Sequence, residues 1–411
     1  MKRHQLNPRT DWQCKAEEIG FTYHTCGTPS QDGEGTYWDE SICYEFSIGE
    51  IDEVEDATKE CHELCLKAVD RVVNDPVLLS KLCIPSEFHY AIRKSWENQD
   101  PSLYGRFDFA YDGKGTPPKM LEYNADTPTM VIETALMQWF WLQDVKPGKD
   151  QFNSLHEKLI DRFREIQHRF FPGSNFYFAG CSDSLEEYQT CIYFQDLATQ
   201  AGIRAEFIDL SEIGWNGVNF TDLKENPIKY WFKLYPWEWM FTDDFGVNVT
   251  RADTGIIEPI WKSVLSNKGI LPILHEMFPD HPNILPATFD PKHLPVDEWD
   301  WLRFQEQGSA EELDLFSQGK LNPTSYVAKP MLSREGANID FMEMGRTVVK
   351  TEGRYTGPRI YQKKAELFQY NGHRAVIGSW IVGNEPAGMI IRDHDKEIVL
   401  DTSKVVPHFI N

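Results

Sequence analysis

The sequence predicts an α/β protein assembled from α+β lobes, one of which holds an open, partly parallel sheet. Three patterns support this class: a long helical periodicity before residue 75, a strand pair near residues 103–124, and a strand–helix–strand alternation from residue 175. Such β-α-β order is typical of parallel sheets with helices on their faces. A chain of 411 residues also exceeds the usual size of one hydrophobic core, so we expect two or three lobes.

A long helix is predicted for residues 47–74. Ser47 is suited to cap its first turn, and the apolar residues that follow recur at helical spacing. The apolar stripe consists of Ile51, Val54, Ala57, Cys61, Leu64 and Ala68. This spacing indicates a helix that packs on the core with one face.

A β-hairpin is predicted for residues 103–124, with its glycine-rich turn at Asp112–Gly115. Residues two apart in a strand point the same way, so alternation separates a polar from an apolar face. The predicted polar face carries Arg106, Asp108, Ala110, Met120, Glu122 and Asn124. The predicted apolar face carries Phe107, Phe109, Tyr111, Leu121 and Tyr123. If the aromatic face packs inward, an arginine, two carboxylates and a carboxamide converge on one patch.

Two helices are predicted next. Thr127-Pro128 is typical of a cap followed by proline in the first turn, and the apolar stretch 129–143 follows it. Residues 146–150 ("KPGKD") predict a break. Residues 152–170 then carry an amphipathic helical pattern.

The alternating region comes after these helices. Residues 175–180, 203–210 and 228–235 are predicted strands, and residues 184–201 are a predicted helix. A third region begins near Asn267 and contains mostly short strands with one glycine-rich loop.

Composition limits the possible partners. The formal net charge is −23, which opposes binding to nucleic-acid backbones and to anionic membranes. The eight cysteines include no CxxC pair, and no apolar segment has the length of a signal peptide core or a membrane span. We therefore expect a cytoplasmic protein with reduced thiols. The oligomeric state stays open.

The polar face of the hairpin is a candidate metal site. Asp108, Glu122 and Asn124 offer hard oxygen donors, which suit magnesium held with nucleotide phosphates. Arg106 beside them is suited to a phosphate or an anionic transition state. The alternative is a surface salt-bridge patch.

Two further segments are candidates. In "KPMLSREGANI", Lys329 ends a predicted strand and Gly336 lies in a loop of small residues that lets backbone N–H groups approach phosphates; the alternative is a structural turn. Glu186 and Glu187 follow a predicted strand, at a position where α/β sheets bind ligands. The alternative is that acidic residues simply favour helix N-termini.

Several long and specific blocks of sequence run in order from about residue 20 to the C-terminus. They are "YWDESICYEFS" from residue 37, "GRFDF" from 105, "EYNADTPT" from 122, "EPIWKSVLSNKGILPILHEMFPDHPNIL" from 258, "YVAKPMLSREGANI" from 326, "IYQ" from 360 and "AGMIIRD" from 387. Together they closely resemble the synthetase domain of glutathionylspermidine synthase. The chain looks most like the stand-alone members of that family, which lack the amidase domain.

The resemblance implies an ATP-grasp fold with permuted element order, in which the magnesium-binding hairpin precedes the lysine-bearing segments. It also implies an ATP-dependent carboxylate–amine ligase that activates an acid as an acyl phosphate, with small-molecule acid and amine substrates. Residues 1–411 would form one module. Its parts would be a helical region with the hairpin at about 20–150, an open α/β substrate subdomain at about 174–260, and a lysine-bearing lobe with C-terminal strands at about 261–411.

The resemblance also implies roles for individual residues. Arg106 would steady the transferred phosphoryl group and Arg392 would face the reacting phosphate. Asp108, Glu122 and Asn124 would hold two magnesium ions, and Lys268 and Lys329 would contact ATP phosphates beside Gly336. The implied adenine site is lined by Gln362, Lys363, Lys364 and Ala365. The implied acid and amine contacts are Thr127, Glu186 and Glu187.

The sequence departs from the family pattern at the acceptor sites. Leu234 stands where the family has a threonine that contacts glutathione, and Thr127 replaces a serine. No acidic residue matches the expected polyamine contact near Ser403 and Lys404. Without an amidase domain, hydrolysis of the product is expected to be absent. ATP use is therefore the stronger expectation, and the acid and the amine stay open.

Two rival functions remain. A catalytically silent relative could bind ATP or a peptide as a regulatory module, but it would not need metal ligands and a transition-state arginine together. A glycosidase with paired carboxylates would use Asp108 and Glu186 but leave the lysine segments unexplained.

Overall fold

The computed structural model describes residues 1–25, 37–170, 173–334, 336–398 and 403–411. Its helices are α1 (Trp12–Glu18), α2 (Ile48–Val73), α3 (Pro76–Lys81), α4 (Ser86–Glu97), α5 (Gln138–Val145), α6 (Leu155–Ile166), α7 (Leu185–Gln200), α8 (Trp237–Met240), α9 (Ser263–Ser266), α10 (Ile270–Met277), α11 (Glu298–Gln307) and α12 (Ala310–Ser317). A π-helical segment, Glu133–Met137, precedes α5. Short 3-10 turns lie at Gln167–Arg169, Leu210–Glu212, Gly246–Thr250, Ile260–Lys262 and Pro291–His293.

The strands complete the mixed α/β architecture. They are β1 (Lys2–Gln5), β2 (Ile42–Phe46), β3 (Tyr104–Ala110), β4 (Lys119–Asn124), β5 (Phe176–Gly180), β6 (Ala205–Asp209), β7 (Gly214–Trp215), β8 (Phe220–Thr221), β9 (Tyr230–Lys233), β10 (Gly255–Ile257), β11 (Ala287–Thr288), β12 (Tyr326–Pro330), β13 (Asp340–Glu343), β14 (Arg346–Lys350), β15 (Arg359–Lys363), β16 (Phe368–Tyr370), β17 (His373–Val382), β18 (Glu385–His394), β19 (Lys404–Val406) and β20 (His408–Ile410). The predicted α/β class is confirmed.

The main sheet brings distant parts of the chain together. Its antiparallel order is β19-β18-β17-β3-β4, and β16 pairs with β17. A second antiparallel sheet, β11-β15-β12-β13-β14, carries the loop that follows β12. The hairpin β3–β4 thus precedes in sequence the strands with which it forms the site, as the permuted order requires.

The predicted open sheet is also present. Strands β10, β9, β5 and β6 pair in parallel in that order, and α7 connects β5 to β6. Parallel neighbours need a crossover between them, which explains the strand–helix–strand alternation of the sequence.

The predicted helix at residues 47–74 is α2, which begins after a complete capping box. The Ser47 side chain accepts from the backbone N–H of Glu50, and the Glu50 carboxylate accepts from the backbone N–H of Ser47. The predicted apolar stripe is buried, and it packs in a core that also contains Phe107 and Phe109. This packing holds the aromatic face of the hairpin inward.

The hairpin differs from the prediction at one point. Asp108 pairs with Glu122, but Phe109 pairs with Met120, so Leu121 is an extra residue in a β-bulge. Met120 consequently turns into the core and is 1% exposed, whereas Leu121 lines a cavity on the polar side. The prediction that Met120 shares the polar face and Leu121 the apolar one was wrong, because one inserted residue reverses the alternation.

The start of the next helix also differs. Helical structure begins at residue 131 rather than at Thr127-Pro128. Met130 has φ +74°, so the chain turns sharply just before the helix. The carbonyl of Thr129 accepts a 2.7 Å hydrogen bond from Nη1 of Arg106. The predicted cap was wrong: the chain between Pro128 and the helix turns at Met130 and gives the Thr129 carbonyl to Arg106.

The structure bears on the expectations for membrane spans and for cysteines. In the described ranges, no helix combines the length and apolar character needed to cross a bilayer. The seven cysteines of those ranges are free thiols, and Cys26 lies outside them.

Candidate active site

The hairpin places the predicted charged residues side by side. Arg106 pairs with Asn124 and Asp108 pairs with Glu122 across β3 and β4. Nε of Arg106 lies 3.2 Å from Oδ1 of Asp108, and Nδ2 of Asn124 lies 3.4 Å from Oδ2 of Asp108. Arg106 and Asp108 are 6% and 2% exposed. The patch is therefore buried in the fold rather than a surface salt-bridge network.

Cations from other strands and loops close over these carboxylates. Arg392, on β18, donates from Nη2 to Oδ2 of Asp108. Nζ of Lys268 lies 2.9 Å from Oε2 of Glu122 and donates to the backbone oxygen of Ser333 at 2.6 Å. Burial alone would raise the pKa of Glu122, but the neighbouring cations outweigh burial and hold that pKa well below its usual range.

Lys329 lies on the opposite wall, at the end of β12. Its ammonium group donates to the backbone oxygen of Leu121 at 3.1 Å and to Oε1 of Gln362 at 2.8 Å. Burial lowers the pKa of Lys329 to about 8, opposed by Glu122 and assisted by the positive charge of Lys268. A phosphate group would replace the missing solvation of this ammonium.

These residues line one end of a cavity of about 330 Å³. Its polar end contains Asp108, Glu122, Lys268, Lys329 and Arg392. Its other walls mix the apolar side chains of Val327, Ile339, Phe341, Leu367 and Ile398 with the charged side chains of Lys364, Glu366, Arg374 and Glu397. Such a mixed lining suits a nucleotide, which combines charged phosphates with the apolar faces of a base.

The predicted adenine-site residues are only partly on this cavity. Lys364 and Ala365 line it. Gln362 is 1% exposed and lies behind the wall, where its Nε2 donates to the backbone oxygen of Met120 at 3.0 Å. Lys363 points elsewhere and pairs with Asp297 and Asp300. Alternation along β15 explains the direction of Lys363, because adjacent residues of a strand face opposite sides, whereas Gln362 is covered by Lys329, to which it is hydrogen-bonded.

The glycine-rich loop after β12 borders the same cavity. Ser333 and Gly336 line it, and Gly336 has φ +69°, a conformation that side chains other than glycine rarely adopt. The loop therefore presents backbone rather than side chain to the cavity. This geometry fits the predicted approach of backbone N–H groups to phosphates.

A smaller cavity of about 30 Å³ adjoins the first and shares Glu122, Lys268 and Ser333 with it. Thr127 and Arg334 line its far side. The predicted acid contact, Thr127, therefore lines a cavity that shares Glu122, one of the candidate metal ligands, with the larger one.

Arg334 is a site residue that the sequence did not single out. Its Nη1 donates to Oγ1 of Thr127 at 2.9 Å and its Nη2 donates to Oε1 of Glu238 at 2.8 Å. Within the described ranges, its Nε is buried without a hydrogen-bond partner. Its position in the loop "SREG" beside Gly336 was the signal that could have indicated it.

The predicted substrate residues Glu186 and Glu187 lie in the first turn of α7, which Ser184 caps. Oε2 of Glu187 accepts from the backbone N–H of Cys181 at 3.3 Å, and burial raises the pKa of Glu187. Glu186 instead acts electrostatically on Glu133, a buried glutamate that the sequence analysis did not consider. The two acidic neighbours thus face different surroundings.

The donor set fits magnesium. Asp108, Glu122 and Asn124 present carboxylate and amide oxygens on one face of the hairpin, the ligands this ion prefers. The described residues contain no group of three His, Cys, Asp or Glu side chains in metal-binding arrangement. Asn124 supplies the third oxygen here, and substrate phosphates commonly supply the rest.

Fold and site together define a protein of the ATP-grasp class, in which two sheets enclose lysines, arginines and carboxylates around a cavity. The chain matches the family described as "Glutathionylspermidine synthase preATP-grasp" over residues 3–411. It belongs to that family.

Two relatives agree with this assignment. A Haemophilus influenzae protein named "Putative acid--amine ligase" is 36% identical over 98% of this chain and 97% of its own length. The Escherichia coli bifunctional glutathionylspermidine synthetase/amidase is 25% identical over 85% of this chain, which spans 56% of that relative.

The structural comparison concerns the fold alone. A glutathione synthetase-like effector from Globodera pallida, solved in its apo form, has a TM-score of 0.56 at 11% identity and covers 98% of this chain and 96% of that one. The predictions of the family, of the fold class and of a ligase-type enzyme are confirmed.

Proposed function

We propose that this protein is an ATP-dependent ligase that joins a carboxylic acid of the peptide or amino-acid kind to an amine or polyamine. One observation carries the proposal. Three cations, Lys268, Lys329 and Arg392, line one cavity together with Asp108 and Glu122, and a fourth, Arg106, contacts Asp108 from beside it. That excess of positive charge matches the triphosphate of ATP with magnesium.

The cations would act mainly by positioning phosphate and neutralising its charge. Phosphoryl transfer requires alignment and charge stabilisation more than covalent participation by the protein. Lys268 lies between α9 and α10, and Lys329 lies on β12. Arg106 and Arg392 lie on β3 and β18 of the main sheet. Magnesium, when held by Asp108, Glu122 and Asn124, would supply further neutralisation of the phosphate oxygens.

The carboxylate group of the acid would lie at the smaller cavity, where Thr127 and Arg334 offer hydrogen bonds and a positive charge; the cavity of about 30 Å³ has room for this group and not for the whole acid. Its carboxylate oxygen attacks the terminal phosphorus of ATP, so ADP leaves and an acyl phosphate forms. The nitrogen of a neutral amine then attacks the acyl carbon, and inorganic phosphate departs as the amide forms. The amine must lose a proton in this step, for which a nearby carboxylate is suited.

The range of acids and amines that the protein accepts extends beyond the two substrates in the family name. Leu234, 4% exposed, stands where the family pattern has a glutathione-binding threonine. Lys404, near the position of the expected polyamine contact, pairs with Asp39 at 2.6 Å. We therefore propose that glutathione and spermidine are neither required nor the preferred pair.

The test is release of ADP and phosphate by the purified protein with Mg-ATP and a panel of acids and amines, with products identified by mass spectrometry. The proposal requires at least one pair that yields stoichiometric ADP and amide. Nucleotide binding, seen as a rise in melting temperature, without turnover for any pair would instead support a catalytically silent, regulatory relative.

A further inference from the structure

A further large cavity lies away from the candidate active site. It has a volume of about 550 Å³, within the range of small-molecule sites. We call it the rear cavity, and its lining includes Ser95, Asp100, Phe170, Tyr230, Trp237 and Gly255. It shares no described lining residue with either cavity of the active site.

The rear cavity lies at the opposite edge of the parallel sheet from the predicted substrate residues. Tyr230 and Gly255 are the first residues of β9 and β10, so the cavity meets the amino ends of these strands. Glu186 and Glu187 follow the carboxyl end of β5 in the same sheet. A ligand in the rear cavity would therefore be separated from the reacting groups by the sheet.

One wall of the rear cavity is aromatic. The rings of Phe170 and Tyr230 lie 4.7 Å apart between centroids. Trp237 is 1% exposed, and its only polar side-chain atom, Nε1, donates to the backbone oxygen of Glu258 at 3.1 Å. These rings offer apolar surface to an occupant, so the occupant has an apolar part.

Two side-chain oxygens lie together on another part of the lining. Ser95 is 5% exposed, and within the described ranges its Oγ has no hydrogen-bond partner. The backbone holds Asp100 beside it: the N–H of Asp100 donates to the carbonyl of Ser95 at 3.0 Å, and the carbonyl of Asp100 accepts from Nε1 of Trp261 at 3.0 Å. Burial raises the pKa of Asp100, and the nearby Ser95 hydroxyl opposes this shift. An ammonium group, with three N–H donors and no acceptor, would satisfy both oxygens.

Two cations, Lys94 and Arg169, complete the charged lining. Both are exposed, and both act on the Asp100 carboxylate from outside hydrogen-bond distance. Nη1 of Arg169 makes a 3.4 Å contact with the backbone oxygen of Asn98, which leaves donors of this guanidinium for a ligand. Guanidinium and ammonium groups suit a carboxylate. The rear cavity thus offers partners for a positive group, a negative group and an apolar group.

We propose that the rear cavity binds a free α-amino acid with a large apolar side chain, at a site separate from the ligase reaction. The ammonium group of the amino acid contacts Asp100 and Ser95. Its carboxylate contacts Arg169 and Lys94. Its side chain packs against the wall formed by Phe170, Tyr230 and Trp237.

The helix α8 contacts both the rear cavity and the acid cavity, so the test must tell them apart. The backbone N–H of Trp237 donates to Oδ2 of Asp126 at 2.8 Å, next to Thr127 in sequence. The following residue, Glu238, pairs with Arg334 at 2.8 Å. An amino acid is also a possible acid substrate of the proposed ligase, which makes Arg334→Ala a necessary comparison.

The experiment is a calorimetric titration of L-phenylalanine into the nucleotide-free protein. Asp100→Asn keeps the shape of the side chain and removes its charge, so affinity should fall about tenfold or more, as for loss of a charged hydrogen bond. Two probes that each lack one charged group, 3-phenylpropionate and 2-phenylethylamine, should bind the parent protein more weakly by a similar factor.

Glu97→Gln is the matched control, because Glu97 lies on α4 two residues beyond Ser95, pairs with Arg93 and does not line the rear cavity. It should leave the affinity for L-phenylalanine unaltered, as should Arg334→Ala. Arg169→Gln changes an exposed side chain and should weaken binding about tenfold. This variant keeps the inference testable should Asp100→Asn fail to fold.

Three outcomes would overturn the assignment. The first is a parent protein that does not bind L-phenylalanine, and the second is equal affinity in the parent protein, Asp100→Asn and Arg169→Gln. The third is a loss of binding in Arg334→Ala with none in Asp100→Asn, which would place the amino acid in the acid cavity. None of these results bears on release of ADP with other acid–amine pairs, so the proposed function is tested independently.

Discussion

Two neighbouring regions of this protein treat buried charge in opposite ways. At the polar end of the cavity, which we call the phosphate end after its proposed role, both carboxylates have cations: Asp108 contacts Arg106 and Arg392, and Glu122 contacts Lys268. In a second group, Tyr23, Tyr37, Glu133, Glu186 and Thr190, which we call the acidic cluster, Oε1 of Glu133 accepts from the Tyr37 hydroxyl, and its Oε2 has no hydrogen-bond partner among the described residues.

The two regions differ in whether their buried carboxylates are paired with cations. At the phosphate end, the ion pairs satisfy one another without a ligand, and in the function we propose Mg-ATP would exchange them for metal–carboxylate and cation–phosphate contacts. In the acidic cluster, Glu133 forms no ion pair with a cation of the described residues, and burial and the negative charge of Glu186 raise its pKa to about 7. The charges of the first region neutralise one another, whereas Glu133 in the second region has a neighbour of like charge, Glu186.

The largest expected effect tests the phosphate end. Asp108→Asn and Glu122→Gln should each lower ADP release on the order of a thousandfold, because losing one preorganised charge contact in a transition state has effects of that size. Both should also reduce the rise in melting temperature that Mg-ATP produces. Glu53→Gln is the control, because it removes the charge of a carboxylate that accepts only outside the site, from the Tyr111 hydroxyl at 2.7 Å. If the turnover and the thermal shifts of the two variants match those of this control, the metal-ligand assignment is wrong.

The next effect separates two cations of the same end. Arg106→Ala should lower turnover about a hundredfold while nucleotide affinity changes little, the pattern expected when a contact is made mainly in the transition state. Lys329→Ala should instead weaken nucleotide binding about tenfold or more through loss of a charge-assisted hydrogen bond. Steady-state kinetics and nucleotide titrations measure both, and an equal loss of affinity in the two variants would contradict the separate roles.

The third prediction concerns the stability of the acidic cluster. The pKa of Glu133 is about 7 in the folded protein, above its ordinary value, so its stabilising contribution is present at low pH and is lost as pH rises through 7. Glu133→Gln removes this loss and can donate towards Tyr23 and Thr190. Without ligands, the variant should exceed the parent protein in unfolding free energy by up to about 3 kcal/mol at pH 8 and by much less at pH 5.

Melting temperatures of both proteins at pH 5 and pH 8 give the measurement, with Glu53→Gln as the control. Glu186, Tyr23 and Tyr37 face Glu133 in this cluster and are unchanged in all three proteins. A difference in melting temperature that is independent of pH would mean that Glu133 is not a destabilising charge.

The smallest expected effect lies at the acid side. Leu234→Thr restores a hydroxyl at the position where the family pattern has one, and it should raise catalytic efficiency with glutathione about tenfold, the value of one hydrogen bond. Leu234→Val, which has a similar shape without the hydroxyl, is the control. If the unmodified protein already prefers glutathione plus spermidine by a wide margin, our interpretation of Leu234 is wrong.

Much of the phosphate end was predictable from the sequence because its determinants are local. Alternation along β3 and β4 places Arg106, Asp108, Glu122 and Asn124 on one face, and short blocks around Lys268, Lys329 and Arg392 carry the resemblance to the family. The capping box of α2 and the strand–helix–strand order of the parallel sheet are local signals of the same kind. Their roles at the site stay predictions until the variants above are measured.

Other features were decided only by the tertiary structure. The bulge at Leu121 exchanges the faces of Leu121 and Met120, because one extra residue reverses a two-residue period and only the packing partner selects it. Gln362 lies behind the cavity wall, against Lys329, and Lys363 turns away to Asp297 and Asp300. The acidic cluster consists of residues from three separated segments: Tyr23 and Tyr37, Glu133, and Glu186 with Thr190. No spacing along the chain predicts that these segments lie together, and the raised pKa of Glu133 results from the burial and the charge that the fold brings to it.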